Sequence, residues 1–170
     1  MSVEIIRYRS EFHSDLALML REYLAFTAIA LRQAPWHYEV EIDEALSVTL
    51  DNLSDYSPPK GEIFIAVDNG IAVGTTTIKM IRADTAELKR MYVRPEFQGR
   101  KIGEALLEKS LETSKDFGAV QMLLDTPPPF EPAHKLYKKF GFEFCREYPE
   151  VGISDELKLN WLYMVTTYGD

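Results

Sequence analysis

Cysteine is nearly absent from this chain, and histidine is scarce. Cys145 stands alone, and His13, His37 and His134 are the only histidines among 170 residues. A single cysteine excludes an intramolecular disulfide and any zinc site built from several thiolates. The three histidines lack metal-ligand spacing, so no metal is implied. Long apolar runs are missing too: the richest stretch, Tyr23 to Leu31, is about half the length of a membrane span. The first residues, Met1-Ser2-Val3-Glu4-Ile5-Ile6-Arg7, lack the basic start and apolar core of a secretory signal. Basic residues are in deficit, 19 against 27 acidic for a net charge of −8. That balance disfavours sequence-independent nucleic-acid binding, which depends on phosphate neutralisation. It suits a cationic substrate such as an amine, although most acidic surfaces serve only solubility. The expectation is a soluble protein of the reducing cytoplasm, with neither nucleic acid nor membrane as partner.

What is present is enough for a core. Hydrophobic residues make up 46% of the chain and aromatics 12%. A single domain over residues 1–170 is expected, and one of this size buries roughly 68–70% of its unfolded surface. Val3–Tyr8 alternates as a first strand. Ser10 or Ser14 is placed to cap a helix to about Ala30, with Leu16, Met19, Leu20, Tyr23 and Leu24 at helical spacing. Gln33–Tyr38, broken by Pro35, reads as a loop anchored by Trp36. Asp43 is placed to cap a second helix, which runs to about Leu53. Ile63–Val67, Asp68-Asn69-Gly70 and Ile71–Met80 spell an antiparallel hairpin, because Asn-Gly supplies the positive φ angles of a tight turn. A strand Ala86–Val93, a helix Ile102–Phe117 closed by Gly118, and a strand Val120–Asp125 follow. A helix Pro132–Phe140 ends at Gly141, before strands at Phe142–Arg146 and near Lys158–Val165. The order βααβββαβαββ implies an α/β (mixed α+β) fold, with a central mixed, mostly antiparallel sheet of about seven strands and helices on both faces.

The densest chemical information runs from Leu88 through Val93, Arg94 and Pro95 to Gln98-Gly99-Arg100-Lys101-Ile102-Gly103-Glu104. It reads as a strand, a turn and a helix start. A helix start leaves amides unpaired and its dipole favours anions. Arg100 and Lys101 add cations there, so the turn suits a phosphate or diphosphate. It is neither a P-loop, since Glu104 and Ala105 follow Gly103, nor a Rossmann G-x-G-x-x-G turn. Composition alone leaves a second reading open, in which Gly99 only makes the turn and Gly103 only lets the helix pack closely.

Gln98–Gly103 resembles the coenzyme A signature of the GNAT superfamily of N-acetyltransferases: Arg or Gln, two residues, Gly, any residue, then Gly or Ala. A second block, Ala133-His134-Lys135-Leu136-Tyr137-Lys138-Lys139-Phe140-Gly141-Phe142, is similar to that superfamily's A-x-x-L-Y-x-x-x-G-F motif. Lys101 departs from the pattern by standing where a glycine is usual. Phe130 lies where an asparagine often precedes the second block. The resemblance implies a GNAT-like fold and transfer of an acetyl group from acetyl-CoA to a primary amine of a small molecule or peptide, by direct attack in a ternary complex. It implies cofactor contacts from Met91, Tyr92, Val93, Gln98, Gly99, Arg100, Lys101, Ile102, Gly103 and Glu104, with the backbone of Met91 and Val93 along the pantetheine arm. The Val93 N–H becomes the candidate for polarising the thioester carbonyl.

Tyr137 matches the superfamily tyrosine and is the candidate acid for the departing thiolate, against a role as packed core. Glu87 is the candidate base, against a solvated charge paired with Lys89, and Asp125 is the reserve. Cys145 reads as a small core residue and His134 as exposed. Trp36, Tyr38 and Trp161, with Tyr23 and Phe26, are candidates to line the acceptor pocket. A non-catalytic acyl-CoA-binding or sensing module is the alternative function, and a longer acyl group stays open. Self-association into a homodimer through the sheet edge is compatible with the sequence but has no motif behind it.

Overall fold

A computed structural model describes residues 3–33 and 35–169; Met1, Ser2, Ala34 and Asp170 lie outside the described residues. The readings that touch those four positions are the N-terminal signal test and the middle of the Gln33–Tyr38 loop. One sheet of seven strands organises the chain: β1 (Glu4–Arg7), β2 (Gly61–Asp68), β3 (Ile71–Arg82), β4 (Thr85–Val93), β5 (Gln121–Thr126), β6 (Glu143–Cys145) and β7 (Leu162–Thr167). Their order is β1-β2-β3-β4-β5-β7-β6, antiparallel throughout except for β4 beside β5. The parallel pair needs a crossover, and α3 (Ile102–Asp116) provides it.

Strand periodicity divides the core. Phe64, Ala66, Ile78, Ala86, Leu88, Met122 and Leu124 pack on one face with Ile102, Leu106 and Leu107 of α3 and Tyr137 of α4 (Glu131–Lys139). Ile63, Ile65 and Ala72 point the other way, against Leu16, Met19 and Leu20 of α1 (His13–Leu31) and Leu46 of α2 (Ile42–Asp51). The expected mixed sheet with helices on both faces is therefore the observed one. The Asn69-Gly70 turn has φ of 50° and 81°, the left-handed pair that a two-residue hairpin needs.

Several local expectations need correction. Neither Ser10 nor Ser14 caps α1: Ser10–Phe12 forms a 3-10 turn that leads straight into the helix. Asp43 lies inside the first turn of α2, favourable to its dipole, while Glu41 holds the cap position. A short helix, α5 (Asp155–Lys158), occupies the start of the expected last strand, which begins only at Leu162. Leu157 and Trp161 bury their side chains there while Leu159 between them is exposed, so the period of two that a strand would show is broken.

Candidate active site

β4 and β5 pair only from Thr85↔Gln121 to Leu88↔Leu124. Beyond Leu88 the two strands part, and among the described residues no strand pairs with Lys89–Val93 on that side. The parting coincides with a bulge against β3: Thr75 opposes Tyr92 but Thr77 opposes Lys89, so Arg90 and Met91 share the place of one residue. Arg90 takes up the extra length at φ 51°. The bulge also resets the alternation, since Leu88, Met91 and Val93 all reach the α3 face while Tyr92 faces α1. The Arg94 N–H donates to Val73 O on β3. Main-chain groups alternate sides along a strand, so the Val93 N–H and C=O turn toward the open gap. Gln98 Nε2 donates to that Val93 carbonyl at 3.0 Å, tying the turn to the strand edge.

The turn that follows has the shape of an amide nest. Gly99 has φ 77° and Lys101 φ 62°, so Lys101 occupies a left-handed conformation that costs a glycine nothing. Among the described residues, no acceptor takes the N–H groups of Gly99, Arg100, Lys101, Ile102, Gly103 or Glu104. The first paired amide is that of Ala105, to Lys101 O. These donors and the helix dipole fit a diphosphate. Gly103 serves packing as well: a Cβ there would lie 3.2 Å from Leu136 Cδ2 and 3.5 Å from Met91 Cε. Both readings of the glycines therefore apply together. Arg100 is more committed than its sequence position suggested. It pairs with the buried Asp68 at 2.8 Å and lies over the Phe97 ring. Glu104 binds Lys139 at 2.7 Å, which joins the start of α3 to the end of α4 and holds its carboxyl below the usual range.

The gap opens into a cavity of about 350 Å³. Met91, Arg90, Asp125, Tyr137, Tyr23 and Trp161 are among its walls. It reaches from the α4 side of the sheet to the α1 side, through the opening where β4 and β5 are unpaired. Above that opening the Phe26 and Phe130 rings meet at 5.0 Å between centroids, which links α1 to the start of α4. Tyr38 lines the cavity, whereas Trp36 supports it from behind, edge-on to Trp161.

Tyr137 is 8% exposed, and burial pushes its phenol well above the ordinary tyrosine range, with Tyr23 and Asp125 adding to the shift. It touches the Phe142 ring, so it belongs to the core and to the cavity wall together. Glu87 departs from the picture of a solvated strand-edge charge. It is 2% exposed and does not line the cavity. The Tyr148 hydroxyl donates to its Oε1 at 2.7 Å, and Lys89 Nζ lies 3.0 Å from its Oε2. Asp125, the reserve carboxylate, does line the cavity and accepts a 2.7 Å hydrogen bond from Trp161 Nε1 on Oδ2. Tyr148 and Arg90 were missed from the sequence. Tyr148 finds its partner 61 residues away, and the bulge that turns Arg90 has no local sequence signal.

His134 is buried, not exposed: Thr126 Oγ1 lies 3.2 Å from its Nε2, Phe144 packs edge-on, and burial lowers its pKa. Cys145 is half-buried against the cluster around Tyr148 and Tyr163, as a small packing residue. Among the described residues no group of three or more His, Cys, Asp or Glu side chains could hold a metal ion.

The model of the acetyltransferase (GNAT) family matches residues 24–142. An N-acetyltransferase of Schizosaccharomyces pombe is 31% identical over 146 residues, which covers 77% of this chain and 90% of that protein. Among solved structures, the PaiA N-acetyltransferase of Thermoplasma acidophilum in complex with coenzyme A superposes with a TM-score of 0.76 at 20% identity, covering 99% of this chain and 100% of that one. The structure of yncA from Salmonella typhimurium with its cofactor acetyl-CoA superposes with a TM-score of 0.70 at 18% identity, covering 100% and 96% respectively.

Proposed function

This chain belongs to the GNAT family of acetyltransferases, and on that premise we propose that it moves an acetyl group from acetyl-CoA to a primary amine of a small molecule or peptide by direct attack in a ternary complex. The observation that carries this reading is the parting of β4 from β5 beside six unpaired amides. Two similar folds come from structures described with coenzyme A or acetyl-CoA bound, which supports the same co-substrate here. When bound, acetyl-CoA supplies an acetyl group activated as a thioester.

The amides from Gly99 to Glu104 cradle the diphosphate, with Gln98 and Ile102 shaping the turn. The free main-chain edge of Met91, Tyr92 and Val93 pairs with the pantetheine arm as a strand would. The Val93 N–H polarises the thioester carbonyl, and a donor aimed at developing negative charge contributes about 3–4 kcal/mol. Tyr137 keeps its proton because it is buried, and it delivers that proton to the departing sulfur. Asp125 is the carboxylate that the cavity exposes to the amine, so it takes the proton-accepting role. Glu87, engaged by Tyr148 and Lys89, is the alternative base that a pH profile tests. A C–N bond forms and the C–S bond breaks. The acceptor ammonium loses two protons: one leaves through Asp125, and the other replaces the proton that Tyr137 gives to sulfur.

The whole of residues 1–170 forms one catalytic domain in this reading. It works in the cytoplasm without nucleic acid or membrane, consistent with the single cysteine and the net charge of −8. No described helix is long and apolar enough to cross a membrane. A panel of diverse amines assayed for thiol release, with Tyr137→Phe as control, tests the reading. Amine-dependent release that the variant loses supports it. Tight coenzyme A binding with no turnover on any amine favours the sensing module instead.

A further inference from the structure

The cavity holds an unbalanced cation. Two basic side chains line it, Lys89 and Arg90. Lys89 is neutralised by Glu87 at 3.0 Å. Arg90 is not: among the described residues no carboxylate pairs with its guanidinium. Its one side-chain hydrogen bond goes from Nη1 to the Tyr56 hydroxyl at 2.9 Å, and its Cζ lies 5.6 Å from the Tyr56 ring centre. Guanidinium has five N–H donors in a rigid fork, so most of this fork is unspent. Arg90 absorbs the register shift of the bulge at φ 51°, and from there it lines the cavity while it reaches Tyr56. In the same cavity Asp125 accepts from the Trp161 N–H, and among the described residues no cation pairs with its carboxylate. Tyr23 lies within the field of both: burial raises its phenol first, Asp125 adds to the rise and Arg90 opposes it. The cavity thus offers one anion and one cation, each without an ionic partner.

From this pairing we infer that the acceptor is a small amine that also carries a carboxylate, an amino acid or close analogue, with its carboxylate gripped by Arg90 and its amine turned to Asp125. The inference rests on the acetyl-transfer reading and narrows its acceptor. A planar carboxylate matches the guanidinium fork through two parallel hydrogen bonds. The surrounding walls, including Leu24, Leu31 and Tyr38, suit an apolar remainder within about 350 Å³.

The test compares amino acids with their decarboxylated amines and carboxamides, plus phosphoethanolamine, by thiol release from acetyl-CoA. Wild type, Arg90→Gln and Arg90→Lys are assayed together. The expected result is a preference in kcat/KM for the acid over its matched amine of about tenfold or more, the scale of one charge-assisted contact. Arg90→Gln brings that ratio close to one, and Arg90→Lys retains part of it. Coenzyme A titrated by calorimetry into each protein checks that the variants fold and keep the cradle. The inference is overturned by equal use of acids and matched amines, by a preference that survives in Arg90→Gln, by phosphoethanolamine outperforming every acid, or by coenzyme A binding with no acid acetylated. Absence of coenzyme A binding in wild type overturns the acetyl-transfer reading itself, a separate outcome.

Discussion

Tyr148 donates its hydroxyl to Glu87 Oε1 at 2.7 Å, a bond between a loop residue and a central strand that seals the carboxylate inside the protein. With Lys89 on the other oxygen, Glu87 has a structural occupation that leaves little of it for an incoming amine. Asp125 faces the cavity with one oxygen bound to Trp161. The two carboxylates should therefore separate under mutation. Asp125→Asn is expected to lower kcat at least tenfold and to alter the acid limb of the pH–rate profile, while Glu87→Gln chiefly lowers stability. Tyr148→Phe should cost about 1–3 kcal/mol, because a buried carboxylate oxygen loses its donor. The reverse pattern in the profiles, with Glu87→Gln moving the limb, would return the base role to Glu87.

Tyr137→Phe keeps the ring against Phe142 and deletes only the hydroxyl. Turnover is expected to fall about 100-fold, within the span of general acid catalysis, with coenzyme A affinity unchanged. Because burial raises this phenol above the ordinary value of 10.0, it stays protonated throughout the neutral range. Wild-type turnover should thus show no loss below pH 10 that the Phe variant lacks. Such a loss would mean a phenol that ionises early.

Lys101 occupies a left-handed conformation at φ 62°, where a side chain is strained by about 1–2 kcal/mol. Lys101→Gly removes that strain but adds unfolded-state entropy of about 0.4–1 kcal/mol. A net gain of between zero and about 1.6 kcal/mol in chemical denaturation is expected. A clear loss of stability would show that the lysine side chain anchors the turn.

His134 is buried beside Thr126 and its pKa is lowered, so the folded state holds it neutral. The unfolded state binds a proton below its ordinary value of 6.5, and folding loses stability as pH falls through that window. His134→Gln, which keeps a hydrogen-bonding side chain without the titration, should flatten the dependence of Tm between pH 7 and 5. An unchanged slope would assign the acid sensitivity to other groups.

The features legible in the sequence were those that one residue type dictates locally. Asn69-Gly70 announced the hairpin, Gly118 and Gly141 ended helices with φ of 95° and 82°, and the order of strands and helices followed. The cradle was visible because backbone geometry is written in Gly99 and Gly103. Contacts between distant segments were not. The burial of Glu87 depends on Tyr148, that of His134 on Thr126 and Phe144, and the exposure of Arg90 to the cavity on a bulge set by strand register. Leu157, Leu159 and Trp161 alternate in the sequence as a strand would, which sets the expected last strand too early. In the fold, Leu157 and Trp161 are buried and Leu159 is exposed on a helical turn.

Calorimetric titration of coenzyme A into the full chain, alongside Gly103→Val, examines the central claim most directly. A β-branched side chain at residue 103 would crowd Leu136 and Met91, and so push the start of α3, with its free amides, out of place beside β4. One saturable site in the wild type, weakened at least tenfold in the variant, is the predicted result. No heat of binding in the wild type across the micromolar to millimolar range, or identical affinity in both proteins, would contradict a diphosphate held by the amides from Gly99 to Glu104.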